Sequence, residues 1–397
     1  MPYDDPILKE LGGYFKAEEP GRRERAKAWA TAIGLQKVDG LTPSQFLFDT
    51  ARDHIEGRIT QNQARRRIRD YYAQERRVGD AAPYQDVKKK ITRLDRGKEE
   101  ADKVSERIVA VLNDGGFAFT PEYFISIHAK LFKGVLPTAG KIRSVNIRKR
   151  EWVLKDESVT YGDAASIRQS LVRDFIDERE FDYGGKTPRK IIPHFARFIA
   201  QIWQVHPFGE GNTRTTAVFT IKYLRSLGFA VDNDAFRDNA WYFRNALVRA
   251  NYADYAHDVK REWSYLEAFF RNLLLGERNE LKSRYLLIGL TNEDRQKIRE
   301  LTDPGGCQKK AGRKRGKKTT QKTTQKMAGR TTQKTALKIL SILRRNPNAT
   351  RKDIVVVTGL TEDGVKWNLR KLKAAGRLRR IGPDKGGHWE VVEGGGE

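Results

Sequence analysis

The residues best suited to chemistry lie in one short string, His206-Pro207-Phe208-Gly209-Glu210-Gly211-Asn212-Thr213-Arg214. Two apolar-periodic segments flank this string and predict helices, one over Lys190–Trp203 and one beginning near Ala217. A histidine, a carboxylate, an amide and an arginine are therefore expected on one tight helix-to-helix loop. The pattern predicts a compact polar site at the junction of two helices.

These residue types suit the binding and transfer of phosphate. Backbone N–H groups of Gly211, Asn212 and Thr213 at a helix N-terminus can cradle an anion, assisted by the helix dipole. The Arg214 guanidinium offers a charge-assisted fork to phosphate oxygens. Glu210 is a hard oxygen ligand suited to Mg²⁺, which keeps most of its coordination shell from phosphates and water.

His206 is the candidate general base of this string. Its imidazole titrates near neutrality and can take a proton from an attacking hydroxyl, typically worth ~10²–10⁴ in rate. Gly211 lacks a Cβ, so the backbone can approach phosphate oxygens closely there. Each residue alone has an ordinary explanation, because a lone histidine usually packs and a Glu or Arg after a helix is usually a solvated cap. Their combination favours phosphate chemistry.

The string resembles the signature of the Fic family, His-x-Phe-x-Asp/Glu-Gly-Asn-Gly-Arg-x-x-Arg. Fic proteins mostly transfer AMP from ATP to a Ser, Thr or Tyr hydroxyl of a target protein. The resemblance implies this activity, with ATP as cosubstrate, Mg²⁺ as cofactor, His206 as general base and Glu210 as the Mg²⁺ ligand. It implies a nucleotide-binding set formed by Gly209, Gly211, Asn212, Thr213, Arg214 and Asn251. The phosphorylating Doc branch departs at the Gly-Asn pair that this chain keeps, so nucleotidyl transfer is favoured over kinase action.

Two positions depart from the family signature. Thr213 replaces the second loop glycine, which costs backbone freedom but keeps an N–H. Ala217 replaces the second arginine, which in the family contacts the outer phosphate. The second departure keeps an alternative open, namely a DNA-binding transcriptional regulator whose Fic domain is catalytically degenerate and only binds nucleotide.

Segments on either side of the string extend the resemblance. Ser144–Val153 and Ser158–Tyr161 are rich in Val, Ile, Trp and Thr and predict a short β-hairpin, equivalent to the Fic flap. An exposed hairpin edge can pair with an extended target segment and place its hydroxyl near His206, although a capped edge without a partner is the simpler alternative. Asn251 ends a segment that resembles the helix closing the adenine pocket; its alternative is an ordinary helix-end cap.

The first eighty residues resemble the small antitoxin that inhibits Fic toxins. The family's inhibitory helix carries Ser/Thr-x-x-x-Glu-Gly/Asn, and here Leu35 and Asp39 occupy the Ser/Thr and Glu places. The family's glutamate pairs with the second loop arginine, whose position is Ala217 in this chain. Asp39 is therefore the inhibitory candidate, with inhibition either absent or made through another contact. The alternative acidic-Gly pair, Glu56-Gly57, fits the spacing no better.

The last quarter of the chain predicts a winged helix-turn-helix. Three apolar-periodic helices precede two short strands around a Gly-rich turn, Arg377–Ile381 and His388–Val392. Basic residues of the third helix and the wing are candidates for nucleic-acid contact: Lys366, Arg370, Lys371, Arg379 and Arg380. The alternative is a protein-docking module with a solvated basic face. The fold class is therefore mainly α, with a Fic-type helical domain, a β-hairpin flap and a C-terminal winged helix.

Composition sets the domain limits and the expected partners. We predict a helical antitoxin-like region over 1–82, a Fic domain over 83–290, a basic disordered linker over 291–334 and the winged helix over 335–397. The 397 residues carry 77 Lys+Arg and 51 Asp+Glu, a net charge of +26. Because this basicity is concentrated near the C-terminus, DNA is the expected polyanion partner, beside the target protein and a second copy of the chain as a candidate homodimer.

The sequence also excludes several classes of protein. No apolar run approaches the ~18 residues of a membrane span, and the first residues lack the apolar stretch of a signal peptide. The single cysteine, Cys307, excludes an intrachain disulfide and a cysteine-based zinc site. These features predict a cytoplasmic protein without a membrane partner.

Overall fold

The computed structural model describes residues 10–80, 85–229, 231, 234–290, 293–294, 339–358, 362–374, 376–382 and 387–392. The chain divides into two compact units, Met1–Ile288 and Gly289–Glu397, and each is described by itself. Several predictions lie outside the described residues: the boundary at residue 82, the linker apart from residues 293–294, Cys307 and most of the Gly-rich wing turn.

The first unit is mainly helical and contains one short β-hairpin. Its helices are α1 (Pro20–Leu35), α2 (Gln45–Ile55), α3 (Gln61–Asp80), α4 (Gln85–Asn113), α5 (Pro121–Phe132), α6 (Ile167–Glu180), α7 (Pro188–Val205), α8 (Asn212–Ser226), α9 (Asp234–Asn251) and α10 (Ser264–Leu275). The strands are β1 (Arg148–Arg150) and β2 (Ser158–Thr160). Within the ranges that the structure describes, no helix is both long enough and apolar enough to cross a membrane.

Helix α1 anchors the N-terminal region to the rest of the first unit, because it packs against both α4 and α9. The buried Trp29 and Ile33 lie on this helix. At Gly34 the two backbones touch, since a Cβ there would lie 2.5 Å from the Arg237 carbonyl oxygen on α9. A 3₁₀ turn, Gln36–Asp39, continues α1 and ends at Gly40, which has a positive φ of 69°. This close packing positions Asp39.

Helices α7 and α8 form the centre of the first unit. Helix α7 buries an apolar stripe that includes Phe195, Ile199 and Trp203, as its three- and four-residue spacing predicts. Helix α8 is buried along nearly its whole length from Asn212 to Leu224. The predicted helix–loop–helix arrangement is therefore confirmed, and the loop between these helices is fixed at both ends by buried structure.

The predicted hairpin is confirmed, but its strands are shorter than the sequence suggested. β1 and β2 pair antiparallel, with Arg148 opposite Thr160 and Arg150 opposite Ser158. Between them, Trp152–Leu154 form a 3₁₀ turn. The turn shortens the ladder because Val153 and Leu154 are buried in the unit instead of continuing the strand.

The second unit has the predicted winged-helix architecture. It contains α11 (residues 339–345), α12 (Arg351–Thr358), α13 (Glu362–Ala374), β3 (Leu378–Ile381) and β4 (His388–Val391). The two strands pair antiparallel, with Leu378 opposite Val391. Thr350 and Asp353 form a reciprocal cap at the start of α12, since each backbone N–H donates to the other's side chain, at 2.8 and 3.2 Å. Leu340, Ile354 and Leu369 are among the residues of its apolar core.

Candidate active site

The loop between α7 and α8 is held by a buried arginine. His206 ends α7 in the left-handed conformation, with φ of 49°, and its backbone N–H donates to the Trp203 carbonyl at 3.1 Å. The Arg143 Nε donates to the His206 carbonyl at 2.8 Å, and the Arg143 backbone N–H donates to the Pro207 carbonyl at 2.9 Å. Arg143, which is only 8% exposed, therefore fixes the start of the loop by charge-assisted hydrogen bonds.

The next residues of the loop are braced by Asn212 and His128. The Asn212 side chain accepts from the Phe208 N–H at 3.1 Å and donates to the Phe208 carbonyl at 2.6 Å. The Phe208 ring stacks on His128 with centroids 3.7 Å apart. Because Gly140 N–H donates to the His128 Nδ1 at 2.8 Å, Nε2 carries the proton and donates to the Glu210 carbonyl at 3.1 Å. Burial lowers the pKa of His128 to about 4, which keeps this brace neutral.

The orientation of His206 leaves one basic nitrogen available. Its Nδ1 lies 3.2 Å from the Trp203 carbonyl, which only accepts, so Nδ1 carries the proton. Nε2 is then an unprotonated acceptor; it is buried and has no hydrogen-bond partner among the described residues. Burial, followed by the nearby charges of Lys149 and Arg244, holds the pKa of His206 well below its usual value. The imidazole is therefore neutral, and Nε2 is its unprotonated nitrogen.

Two aromatic rings fix the plane of His206. Tyr161 stacks on the imidazole at 3.6 Å, and Trp203 meets it edge-on at 5.4 Å. The Trp203 indole N–H donates to the Thr213 hydroxyl at 3.0 Å. Thr213, which stands in place of the family's second loop glycine, therefore anchors a ring that packs against the candidate base. This contact joins residues ten positions apart, and no sequence pattern predicted it.

The two loop glycines differ in what they require. Gly211 has φ of 74°, and a Cβ there would lie 2.5 Å from the Phe132 ring, so this position excludes other residues for packing as well as backbone reasons. A Cβ at Gly209 would meet nothing within 4 Å among the described residues. Glu210, between them, is exposed.

Arg214 is buried and held by partners from the N-terminal region and α4. Its guanidinium is 1% exposed, and its Nη1 donates to the Gln36 Oε1 at 3.0 Å. Its Nη2 donates to the Glu100 Oε1 at 2.6 Å, and the guanidinium lies over the Phe132 ring at 4.7 Å. The motif arginine is thus already oriented, with its charge partly balanced.

Asp39 contacts two arginines. Its Oδ2 lies 2.7 Å from the Arg214 Nε, and its Oδ1 lies 3.2 Å from the Arg244 Nη1. The family pattern predicts that the inhibitory carboxylate contacts an arginine at position 217. In this protein Asp39 contacts Arg214 and Arg244 instead, and Ala217 is fully buried. The alternative candidate Glu56 pairs instead with Arg58 and accepts from the Tyr14 hydroxyl.

One polar pocket gathers most of these groups. It is lined by Asp39, Lys149, Tyr161, Trp203, His206, Gly211, Asn212, Thr213 and Arg244. Lys149 and Arg244 were not among the predicted site residues. Lys149 lies on β1 in the predicted hairpin, and Arg244 lies on α9 in the segment that resembles the helix closing the adenine pocket, but neither residue was assigned a role from the sequence. Only the fold brings them to His206.

Asn251 lies apart from this set. Its side-chain N–H groups donate to the Ala200 and Leu247 carbonyls, each at 3.0 Å, so the amide nitrogen ties the end of α9 to α7. Asn251 does not line the pocket that contains His206.

Near this pocket, Glu210, Arg214 and the N-terminus of α8 are the groups that could hold an ion or a phosphate. In the described part of the chain, no group of three or more His, Cys, Asp or Glu side chains is arranged to bind a metal. Glu210 offers a single exposed carboxylate, which fits Mg²⁺ only if phosphates and water complete its shell. The N-terminus of α8 and the buried Arg214 supply the donors that phosphate oxygens require.

In the second unit, the predicted basic residues form an exposed face. Lys366, Arg370 and Lys371 are exposed on α13. On β3, Arg379 is exposed and lies 3.9 Å from Glu390, whereas Arg380 is partly buried and covers the Trp389 ring at 4.9 Å. Trp389 is partly buried and packs against the apolar core of this unit.

Comparison with known proteins agrees with this description of the two units. Residues 118–224 match the Fic/DOC family, and residues 332–379 match a family described as winged helix-turn-helix DNA-binding. The chain therefore contains a Fic/DOC domain and a C-terminal winged helix-turn-helix. The Fic match includes the hairpin and the whole loop from His206 to Arg214.

Two curated relatives resemble part of the chain. The probable protein adenylyltransferase y4lH of Sinorhizobium fredii is 29% identical over 146 residues, which cover 36% of this chain and 71% of that protein. The protein adenylyltransferase VbhT of Bartonella schoenbuchensis is 28% identical over 137 residues, 34% of this chain and 26% of that protein. The chain thus spans about a quarter of the length of the second relative.

Proposed function

We propose that this protein is an adenylyltransferase that transfers AMP from ATP to a hydroxyl side chain of a target protein. The observation that carries the proposal is the state of His206, whose unprotonated Nε2 has no partner among the described residues and which lines the same pocket as the N-terminus of α8. A basic nitrogen beside backbone donors for an anion is what proton transfer during phosphate chemistry requires. The names of both relatives support the same reaction.

In the proposed reaction, His206 takes the proton from the target hydroxyl. The hydroxyl oxygen forms a bond to the α-phosphorus of ATP, the bond from that phosphorus to the bridging oxygen breaks, and pyrophosphate leaves. Backbone N–H groups of Gly211, Asn212 and Thr213, with Arg214, hold the phosphates. Mg²⁺ bound with the phosphates near Glu210 would neutralise charge on the leaving group.

The β-hairpin is the proposed docking element for the target. β1 and β2 pair only with each other in the described part of the chain, so the ladder leaves strand edges for an extended segment. Tyr161 immediately follows β2 and stacks on His206. A segment paired with the hairpin would therefore present its hydroxyl close to the base, which is the proximity that catalysis needs.

Asp39 is the proposed inhibitory residue. Its carboxylate engages Arg214, which the phosphates would otherwise use, and it lines the same pocket as His206. The nucleotide phosphates and Asp39 would therefore compete for Arg214. The inhibition acts through Arg214 instead of the arginine that the family has at the position of Ala217.

Transfer of label from α-labelled ATP tests the proposed reaction. We expect labelled protein with the wild type and Mg²⁺, alone or in lysate, and a loss of at least ~10²-fold in rate for His206→Ala. His257→Ala is the matched control, because His257 is highly exposed and does not line the pocket. Equal labelling by wild type and His206→Ala would rule out the proposed base.

The winged helix supports a second candidate function, DNA binding. The match to a DNA-binding family and the exposed basic face of α13 favour it. The two functions are compatible if the winged helix brings the transferase to targets near DNA. Binding of the full chain to duplex DNA, with no label transfer from ATP by the wild type, would favour the regulator with a degenerate Fic domain.

A further inference from the structure

Two guanidinium groups converge on the Asp39 carboxylate, and each takes a different oxygen. Arg214 comes from the first turn of α8 and meets Oδ2 at 2.7 Å, whereas Arg244 comes from α9 and meets Oδ1 at 3.2 Å. An anion that meets one nitrogen from each of two guanidinium groups marks a place suited to any group with two or more oxygens and negative charge. A terminal phosphate of a nucleotide is such a group.

The structure holds Arg244 firmly at this place. Its Nη2 donates to the Glu151 Oε1 at 2.8 Å, and its Nη1 donates to the Val38 carbonyl at 2.9 Å. Glu151 is 2% exposed, and the Arg244 side chain is 17% exposed. A guanidinium fixed by a buried carboxylate keeps its position when one other partner leaves, because the charge stays compensated.

The pocket has a surplus of positive charge once Asp39 is left out. Lys149 and Arg244 line it directly, and Arg214 approaches Asp39 from the loop. Glu151 and Glu100 each engage one of these arginines. Asp39 thus supplies anionic charge that the cluster lacks without it, and the phosphate end of a nucleotide would supply the same charge.

Position 217, by contrast, contributes no charge to the pocket. It is a fully buried alanine on α8, where the Fic signature has its second arginine. We propose that Arg244 provides the second phosphate-binding cation of this pocket together with Arg214, and that Asp39 occupies the place of the outer phosphate. This inference rests on the proposed function, since it assigns a ligand group to the same site.

The test compares nucleotide binding in a chain from which the competing carboxylate has been removed. Full-length Asp39→Ala and Asp39→Ala/Arg244→Gln proteins are titrated calorimetrically with Mg²⁺ and either AMP or a non-hydrolysable ATP analogue. We expect the second change to weaken binding of the ATP analogue at least ~tenfold, the loss of one charge-assisted fork, and to leave AMP binding within about twofold. In the same Asp39→Ala background, Arg244→Lys keeps the charge without the fork. Its affinity for the ATP analogue should lie between those of Asp39→Ala and Asp39→Ala/Arg244→Gln.

Two controls separate phosphate binding from a structural role. Asp39→Ala/Arg237→Gln changes another largely buried arginine of α9, one that pairs with Asp238 and does not line the pocket. It should bind both nucleotides as Asp39→Ala does. Asp39→Ala/Glu151→Gln keeps Arg244 but removes the charge of the carboxylate that holds it. Thermal unfolding of each variant checks that the protein is folded.

Each outcome decides the proposal. Selective loss of the ATP analogue in Arg244→Gln supports it, whereas unchanged binding, or an equal loss of AMP and the analogue, overturns it. An equal loss in the Arg244→Gln and Glu151→Gln proteins for both nucleotides would show that Arg244 only positions the hairpin. If Asp39→Ala binds neither nucleotide, the proposed function itself fails, which is a different result from an indifferent Arg244.

Discussion

The two units use positive charge in opposite ways. In the first unit, the guanidiniums of Arg214 and Arg143 are almost fully buried, and each is fixed by specific oxygens of the loop, Glu100 or Gln36. In the second unit, Lys366 and Arg370 are exposed on the surface of α13. Buried, fixed groups give geometric selection of a ligand, while exposed ones give long-range attraction that salt screens.

This difference predicts where single changes will be costly. Around the loop, Gly211, Asn212 and Thr213 each have a neighbour that a substitution would strand or displace. On the face of α13, a substitution removes charge but leaves packing untouched.

Gly211→Ala should lower the free energy of unfolding by about 3 kcal/mol. The new Cβ would overlap the Phe132 ring, and alanine would be forced into the left-handed region. Gly209→Ala is the matched control in the same loop, and it should stay within about 0.5 kcal/mol. Urea unfolding of the three proteins measures both values; similar stabilities for the two variants would contradict the observed packing.

Acid should weaken the brace at His128. The unfolded pKa is near 6.5 and the folded pKa about 4, so below pH 6.5 the unfolded chain binds a proton that the folded chain does not. Stability is therefore lost as pH falls from 6.5 to 4, by about 2 kcal/mol at pH 5 from this residue.

His54 has the same folded pKa and contributes over the same window, so a variant is needed to isolate His128. In His128→Asn the fall in stability between pH 7 and 5, measured by urea unfolding, should be shallower than in the wild type. An unchanged pH dependence would show that His128 does not remain neutral in the folded protein.

Thr213→Val should destabilise the first unit by about 1–2 kcal/mol and slow label transfer. The change keeps the side-chain shape but leaves the buried Trp203 indole N–H without its acceptor, and Trp203 packs against His206. Thr213→Ser retains the hydroxyl and is the control. If the valine and serine variants unfold at the same urea concentration, the hydroxyl has no structural role.

Lys366→Ala combined with Arg370→Ala should change stability least, within about 0.5 kcal/mol, because both side chains are exposed. If both contact phosphates, the slope of log affinity for duplex DNA against log salt should fall by about 1.8. Label transfer from ATP to protein in the absence of DNA should be unchanged. A salt slope equal to that of the wild type would show that α13 does not contact the DNA backbone.

Much of the fold could be predicted from the sequence, because the patterns that specify it involve residues close together in the chain. The three- and four-residue spacing over Lys190–Trp203 defines a buried helix whatever surrounds it, and Thr350 with Asp353 makes a cap through neighbouring backbone. The string from His206 to Arg214 is continuous, so its residues had to share one loop. The winged helix could be predicted over 335–397 for the same reason, because its helices, strands and turn follow one another directly in the sequence.

Tertiary structure decided what depends on distant segments. The Trp203 carbonyl selects the tautomer of His206, and burial keeps the imidazole neutral. The strands are shorter than predicted because Val153 and Leu154 turn into the core. Asp39 could be picked out by its place in a pattern, but its partners could not. Arg244 lies 205 positions away, and only the packing of α1 on α9 brings its charge to that carboxylate.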